Sequence, residues 1–161
     1  MAKSLKDEIL DDLIQDIQDV ASVEIDDAFK DEFVFSVEDK WYDSYSDFYD
    51  KTVLPNMYRR RYNNKGLLDE TKMITEVNKT SGKTVEVKFY SDTKTNPYES
   101  GEPIYSSLES DENLVDYLAE EVYPPERRVD LIEETENELD NENKIEKALE
   151  IGLKRKGYEV K

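Results

Sequence analysis

From Leu5 onward the apolar side chains fall at three- and four-residue steps: Leu5, Ile9, Leu10, Leu13, Ile14, Ile17, Val20 and Ala21. On a helix these positions share one stripe, so the spacing predicts an amphipathic helix, opened by Ser4 and Asp7 in a loose capping box. The opposite face holds Asp7, Glu8, Asp11, Asp12, Asp16 and Asp19, with only Lys6 to offset them. Such a face is either solvated or turned toward a partner bearing lysines or arginines. A second helix is expected from a cap at Asp26 or Asp27, with Phe29, Phe33, Val37, Trp41, Tyr45 and Phe48 along one side. Their mostly four-residue step overshoots a helical turn, so the stripe must wrap or the helix must bend. Phe33-Val34-Phe35 alone would also fit a short strand, but the spacing on both sides favours one long helix. Trp41 and Tyr45 serve either the core or a subunit contact, two uses that large amphipathic rings share.

The period changes after Asp69. Met73 to Val77 alternates, Ser81-Gly82 supplies turn chemistry, and Thr84 to Tyr90 alternates with Val85, Val87 and Phe89 on one side and Glu86 and Lys88 on the other. This predicts a hairpin with one buried and one wet face. Two strands alone are barely stable, so helices must cover the apolar side and further strands are sought at Pro103-Ile104-Tyr105 and Tyr158-Glu159-Val160. Residues 91–112 are polar, contain Pro97, Gly101 and Pro103, and show no period; they are expected to form a long loop that orders on assembly. Leu114, Val115, Leu118 and Val122 then predict a short helix stopped by Pro124. Val129, Leu131, Ile132 and Thr135 open another, and Ile145, Ala148, Leu149 and Leu153 a last one. Gly157 would end that last helix, and Lys154, Arg155 and Lys156 would sit at its negative end.

The expected fold is therefore α/β of the α+β kind, a small antiparallel sheet packed against N-terminal and C-terminal helices. Residues 1–161 are read as a single domain: N-terminal helices over 1–50, a basic junction over 51–70, hairpin and loop over 71–112, and C-terminal helices with a closing strand over 113–161.

Charge changes this picture in one respect and chemistry in another. The chain carries 40 acidic and 22 basic residues, a net charge of −18, distributed as −11 over residues 1–53, +4 over 54–94 and −11 over 95–161. A basic middle between acidic ends suits either internal pairing or head-to-tail contact between copies. The overall charge argues against a nucleic-acid-binding surface spread over the whole molecule. With no cysteine and no histidine, disulfides, thiolate zinc sites and histidine-based catalysis are excluded. No calcium loop, phosphate loop or dinucleotide fingerprint occurs, and no carboxylate pair stands out from the rest, so neither an enzyme nor a cofactor is expected. No apolar run approaches a membrane span and the N-terminus lacks the apolar core of a signal peptide, so the chain is expected to be made and kept in the cytoplasm.

The basic middle contains the most specific stretch, Tyr49 to Asp69. An aromatic helical pattern ends at Pro55, three consecutive arginines (Arg59, Arg60, Arg61) lie between Tyr58 and Tyr62, and Asn63, Asn64 and Gly66 lead to Leu67, Leu68 and Asp69. This order resembles a junction in the neck or tail-completion (head-tail joining, minor tail) proteins of long-tailed double-stranded-DNA bacteriophages. A second piece, Pro124-Pro125-Glu126-Arg127-Arg128 before a helix, followed by a closing helix ending Gly152 to Tyr158, is similar to the same family.

The resemblance implies a structural virion protein of the neck, whose copies form a ring, a hexamer or dodecamer, between head-closure or adaptor proteins and the tail-terminator protein. In that reading the ring completes the channel through which DNA passes as cargo only, and no membrane is involved. An acidic channel wall would keep DNA from adhering to it. The candidate subunit-interface residues are Tyr58, Arg59, Arg60, Arg61, Tyr62, Trp41, Tyr45, Arg127 and Arg128. The competing reading is an acidic inhibitor that mimics DNA and occupies a nuclease or restriction enzyme. Its charge fits, but a mimic has no use for a cationic knot.

Overall fold

The computed structural model describes residues 3–43, 66–79, 83–95, 111–121 and 125–161, the side chains of Tyr42, Asp43 and Arg127 aside. Helix α1 (Leu5–Val20) starts as its sequence predicts: the Ser4 hydroxyl accepts the Asp7 N–H at 3.2 Å and donates to the Asp7 carboxylate at 2.7 Å. The apolar stripe is buried toward its end, at Ile14, Val20 and Ala21. Leu5 and Ile9 are 72% and 59% exposed.

The chain does not break before the next helix. A π-helical turn, Ala21–Ile25, joins α1 directly to α2 (Asp26–Ser36), and a second π segment, Val37–Asp43, follows. The Asp26 N–H reaches back to Ala21 O, which leaves no free helix end for Asp26 or Asp27 to cap. Asp26 instead pairs with Lys30 one turn later, at 2.7 Å. The π segments also account for the four-residue aromatic step. Each such step overshoots an α turn by roughly 40°, and the wider turn of i→i+5 bonding takes up the excess. Phe33, Val37 and Trp41 thus stay on one buried face, and the strand alternative at residues 33–35 is excluded.

The sheet is an antiparallel pair, β1 (Met73–Lys79) with β2 (Val85–Ser91), in the register Thr75 opposite Phe89 and Val77 opposite Val87. Phe89 is buried and Val85 and Val87 are half-buried, while Glu86 and Lys88 are exposed, as the alternation predicts. Phe29 stacks on Phe89 with ring centroids 5.2 Å apart, and Phe33 meets the same ring edge-on at 5.4 Å. An isolated hairpin is marginal, so these rings from α2 hold it in place, each such pair adding about 0.5–1.5 kcal/mol beyond the buried area. The Ser81-Gly82 turn and the segment at residues 103–105 lie outside the described residues.

Helix α3 (Leu114–Glu120) is capped by Asn113, whose side-chain oxygen accepts the Val115 N–H at 2.9 Å and whose amide donates to Ser91 O at 2.7 Å. A turn at Pro125–Arg127 leads to α4 (Leu131–Asn141), capped by Asp130. Helix α5 (Lys144–Arg155) ends in a two-bond αL cap: Gly157 N–H bonds Lys154 O at 3.0 Å and Tyr158 N–H bonds Leu153 O at 3.0 Å. Gly157 takes φ 93°, a conformation that its missing Cβ makes inexpensive.

Tyr158 to Val160 form no strand, contrary to the expected closing one. The Tyr158 N–H is taken by the helix cap, and its hydroxyl donates to Asp16 of α1 at 2.6 Å. The sheet accordingly has two strands among the described residues.

The acidic face of α1 is also better compensated than its local sequence implies. Asp11 pairs with Lys3 at 2.5 Å and Lys79 at 3.8 Å, Asp16 with Lys156 at 3.5 Å, and Asp19 with Lys156 at 2.8 Å and Arg155 at 3.1 Å.

Candidate subunit interface

Of the candidate interface residues, Trp41 is placed most firmly, and it is a core residue. It is 3% exposed and belongs to one cluster with Phe33, Val37, Leu67, Met73, Phe89 and Leu114. Arg127 closes the short turn before α4, and Arg128 follows it, exposed, its N–H bonded to Pro125 O at 3.1 Å. Tyr45, Tyr58, Arg59, Arg60, Arg61 and Tyr62 lie outside the described residues.

The structure does fix where the arginine-bearing stretch is attached. Trp41 on one side and Leu67 on the other are buried in the same cluster. After Leu67, Asp69 caps a short turn, Glu70–Lys72, accepting the Thr71 N–H at 3.0 Å and its hydroxyl at 2.6 Å. Thus Gly66, Leu67 and Asp69 of the junction motif act as an anchor: a buried leucine between a turn glycine and a capping carboxylate.

The segment after β2 packs beside Gly66. Its two ends are joined by a bridge between Lys94 and Asn113, with Thr95 N–H bonded to Glu112 O at 3.0 Å and Leu114 N–H to Thr93 O at 2.8 Å. The buried Thr93 hydroxyl sits 3.4 Å from Gly66 O and 3.0 Å from the Ser91 hydroxyl. Residues 92–95 and 111–113 are therefore ordered in the subunit itself, ahead of any assembly. Burial, with Glu121 nearby, pushes the Glu112 carboxyl above its usual range.

A second region is held by charge. Arg155 spans Glu24, at 2.5 and 3.2 Å, and Asp19, at 3.1 Å. The hydrogen bond from Arg155 holds Glu24 below the usual carboxylate range, and those from Lys156 and Arg155 do the same for Asp19. Lys144 binds the buried Glu32 and also Glu142. Gly152 lets α5 approach: a Cβ there would lie 2.3 Å from Val20 Cγ1 and 2.9 Å from a Glu24 carboxylate oxygen.

Beside this contact a groove of about 370 Å³ opens between α2 and α5, floored by Ala28 and Ala148 and rimmed by Asp27, Asp31, Lys147 and Ile151. Sequence reasoning missed the groove. The available signal was Gly152 inside a helical pattern, where glycine costs about 1 kcal/mol relative to alanine and so marks a close approach.

Fold and surface together define a small α+β protein with a larger apolar cluster and a smaller one laced with ion pairs beside an acidic groove. The chain belongs to the YomN family, whose sequence model matches residues 2–155. No curated protein and no solved structure matches it. Among the described residues, no helix is long and apolar enough to cross a membrane.

Proposed function

We propose that the protein is a structural subunit of the neck of a long-tailed bacteriophage, forming a ring between head-closure and tail-terminator layers through which DNA passes. The observation that supports this reading most is the disposition of charge. Arg155, Lys156 and Lys144 are committed to acids of α1, the π turn and α2 within the subunit. The triple arginine lies in sequence between Trp41 and Leu67, both buried in the larger apolar cluster. A cationic stretch in the sequence and an acidic groove on the surface suit a heterologous contact between copies, the kind of contact from which rings are built. Guanidinium suits such a contact, because its planar fork binds a carboxylate through two hydrogen bonds and sheds water more readily than an ammonium.

The same charge pairing counts against the DNA mimic, whose carboxylates would have to stand unpaired to imitate phosphates. Asp11, Asp16 and Asp19, in the middle of the α1 face, are already bridged by lysine or arginine.

The test is a phage bearing Arg59→Gln, Arg60→Gln and Arg61→Gln together. Electron microscopy of the lysate is expected to find heads and tails unjoined, with the purified variant folded like the wild type by circular dichroism. Infectious tailed particles would overturn the reading.

A further inference from the structure

The groove between α2 and α5 has the two properties that a short basic and aromatic segment requires. Its floor is apolar, with Ala28 and Ala148 below and Ile151 left 62% exposed at the mouth. Its α2 wall presents Asp27 and Asp31, one helical turn apart and both exposed, with no cationic partner among the described residues. The lysines of the α5 wall do not cancel them: Lys144 is held by Glu32 and Glu142, and Lys147 stands alone against two carboxylates.

We infer, on the ring reading above, that this groove seats the Tyr58–Tyr62 segment of a neighbouring copy, with guanidinium groups on Asp27 and Asp31 and tyrosine rings over Ala28, Ala148 and Ile151. The sequence Tyr-Arg-Arg-Arg-Tyr is the one run of three arginines in the chain and the one flanked by rings on both sides. The other basic triplet, Lys154-Arg155-Lys156, is occupied within the subunit. The neighbour is the occupant because a ring needs a heterologous contact, with the cationic stretch of one copy on the acidic groove of the next.

The experiment titrates a fluorescein-labelled peptide of residues 56–64 with the full chain at low ionic strength, following anisotropy. Binding to the wild type is expected, weakened about tenfold in Asp27→Lys/Asp31→Lys. The loss should be no more than about threefold in Glu133→Lys/Glu136→Lys, which makes the same change of charge on the exposed side of α4. Equal loss in both variants would reduce the effect to overall charge and overturn the seat, as would absence of binding to every form. Binding only to the full chain carrying Arg59→Gln/Arg60→Gln/Arg61→Gln would mean that each copy fills its own groove, and would overturn the neighbour. The ring reading has a separate readout in particle assembly. A peptide that seats as expected, alongside normal tailed particles from the arginine variant, would keep the groove and remove the ring.

Discussion

The two clusters of this subunit are built on different physical terms. The larger one, around Phe33, Val37, Trp41, Leu67, Met73 and Phe89, is aromatic and aliphatic, and its rings lock α2 to the hairpin. The smaller one has only Ala21, Ile25 and Ala148 buried, with Ala28, Val77, Val87, Ile145 and the shared Phe29 packed against them. What it lacks in buried side chains is supplied by close approach at Gly152 and by the ion pairs of Arg155, Lys156 and Lys144. One cluster should answer to side-chain volume and be indifferent to salt and pH; the other should answer to shape and ionisation. An acidic chain gains from this division, because its cations neutralise acids where fewer side chains are buried.

The sharpest way to break the comparison is Phe33→Ala. It removes a fully buried ring that contacts Phe89, and a loss of about 3–5 kcal/mol is expected, read from urea unfolding and equal at low and high salt. A loss that shrank with added salt would show that the larger cluster is not held by packing. Next comes Gly152→Ala, whose new Cβ has nowhere to go beside Val20. About 1–3 kcal/mol should be lost to overpacking, and a variant as stable as wild type would mean that the seam between α5 and the π turn yields easily.

Thr75→Val sharpens the comparison in the opposite direction. The Thr75 hydroxyl is buried without a hydrogen-bond partner among the described residues, so replacement by a methyl of the same shape should raise stability by about 1 kcal/mol. A lower melting temperature would mean that the hydroxyl is satisfied after all.

The smallest effect concerns pH. Asp19 and Glu24 have folded pKa values lowered by Lys156 and Arg155. Their contribution is present above the unfolded carboxyl values of about 4 and is lost as pH falls through the lowered folded ones. Arg155→Gln should therefore melt below wild type at pH 7, with the gap closing toward pH 3. An equal gap at both would mean that Arg155 acts through packing of its stem.

Much of this architecture was legible locally. The Ser4 cap, the separate stripes over residues 14–20 and 29–41, the alternation of Val85, Val87 and Phe89, and the stop at Gly157 are all set by neighbours a few residues apart. What escaped depends on distance. The acids of α1 read as uncompensated because Arg155 and Lys156 lie far along the sequence, and the groove exists only where α5 crosses α2. The closing strand at Tyr158 failed for a related reason: alternation over three residues is too little to compete with a helix cap and an available acceptor on Asp16. The π turns were present in the sequence only as an overshooting four-residue step. Trp41 was open to two uses, and the cluster containing Leu67 placed it in the core.

The bonds between Arg155 and Glu24 join residues 131 positions apart. On a translating ribosome that separation is a delay. At about 5–20 residues per second, Glu24 and Asp19 are exposed for on the order of ten seconds before their cations exist, while the hairpin and α2 can already pack around Phe89. The hairpin and α2 are thus able to pair early, while Leu114, Leu118 and Leu131 complete the larger cluster later and the charged seam closes after them.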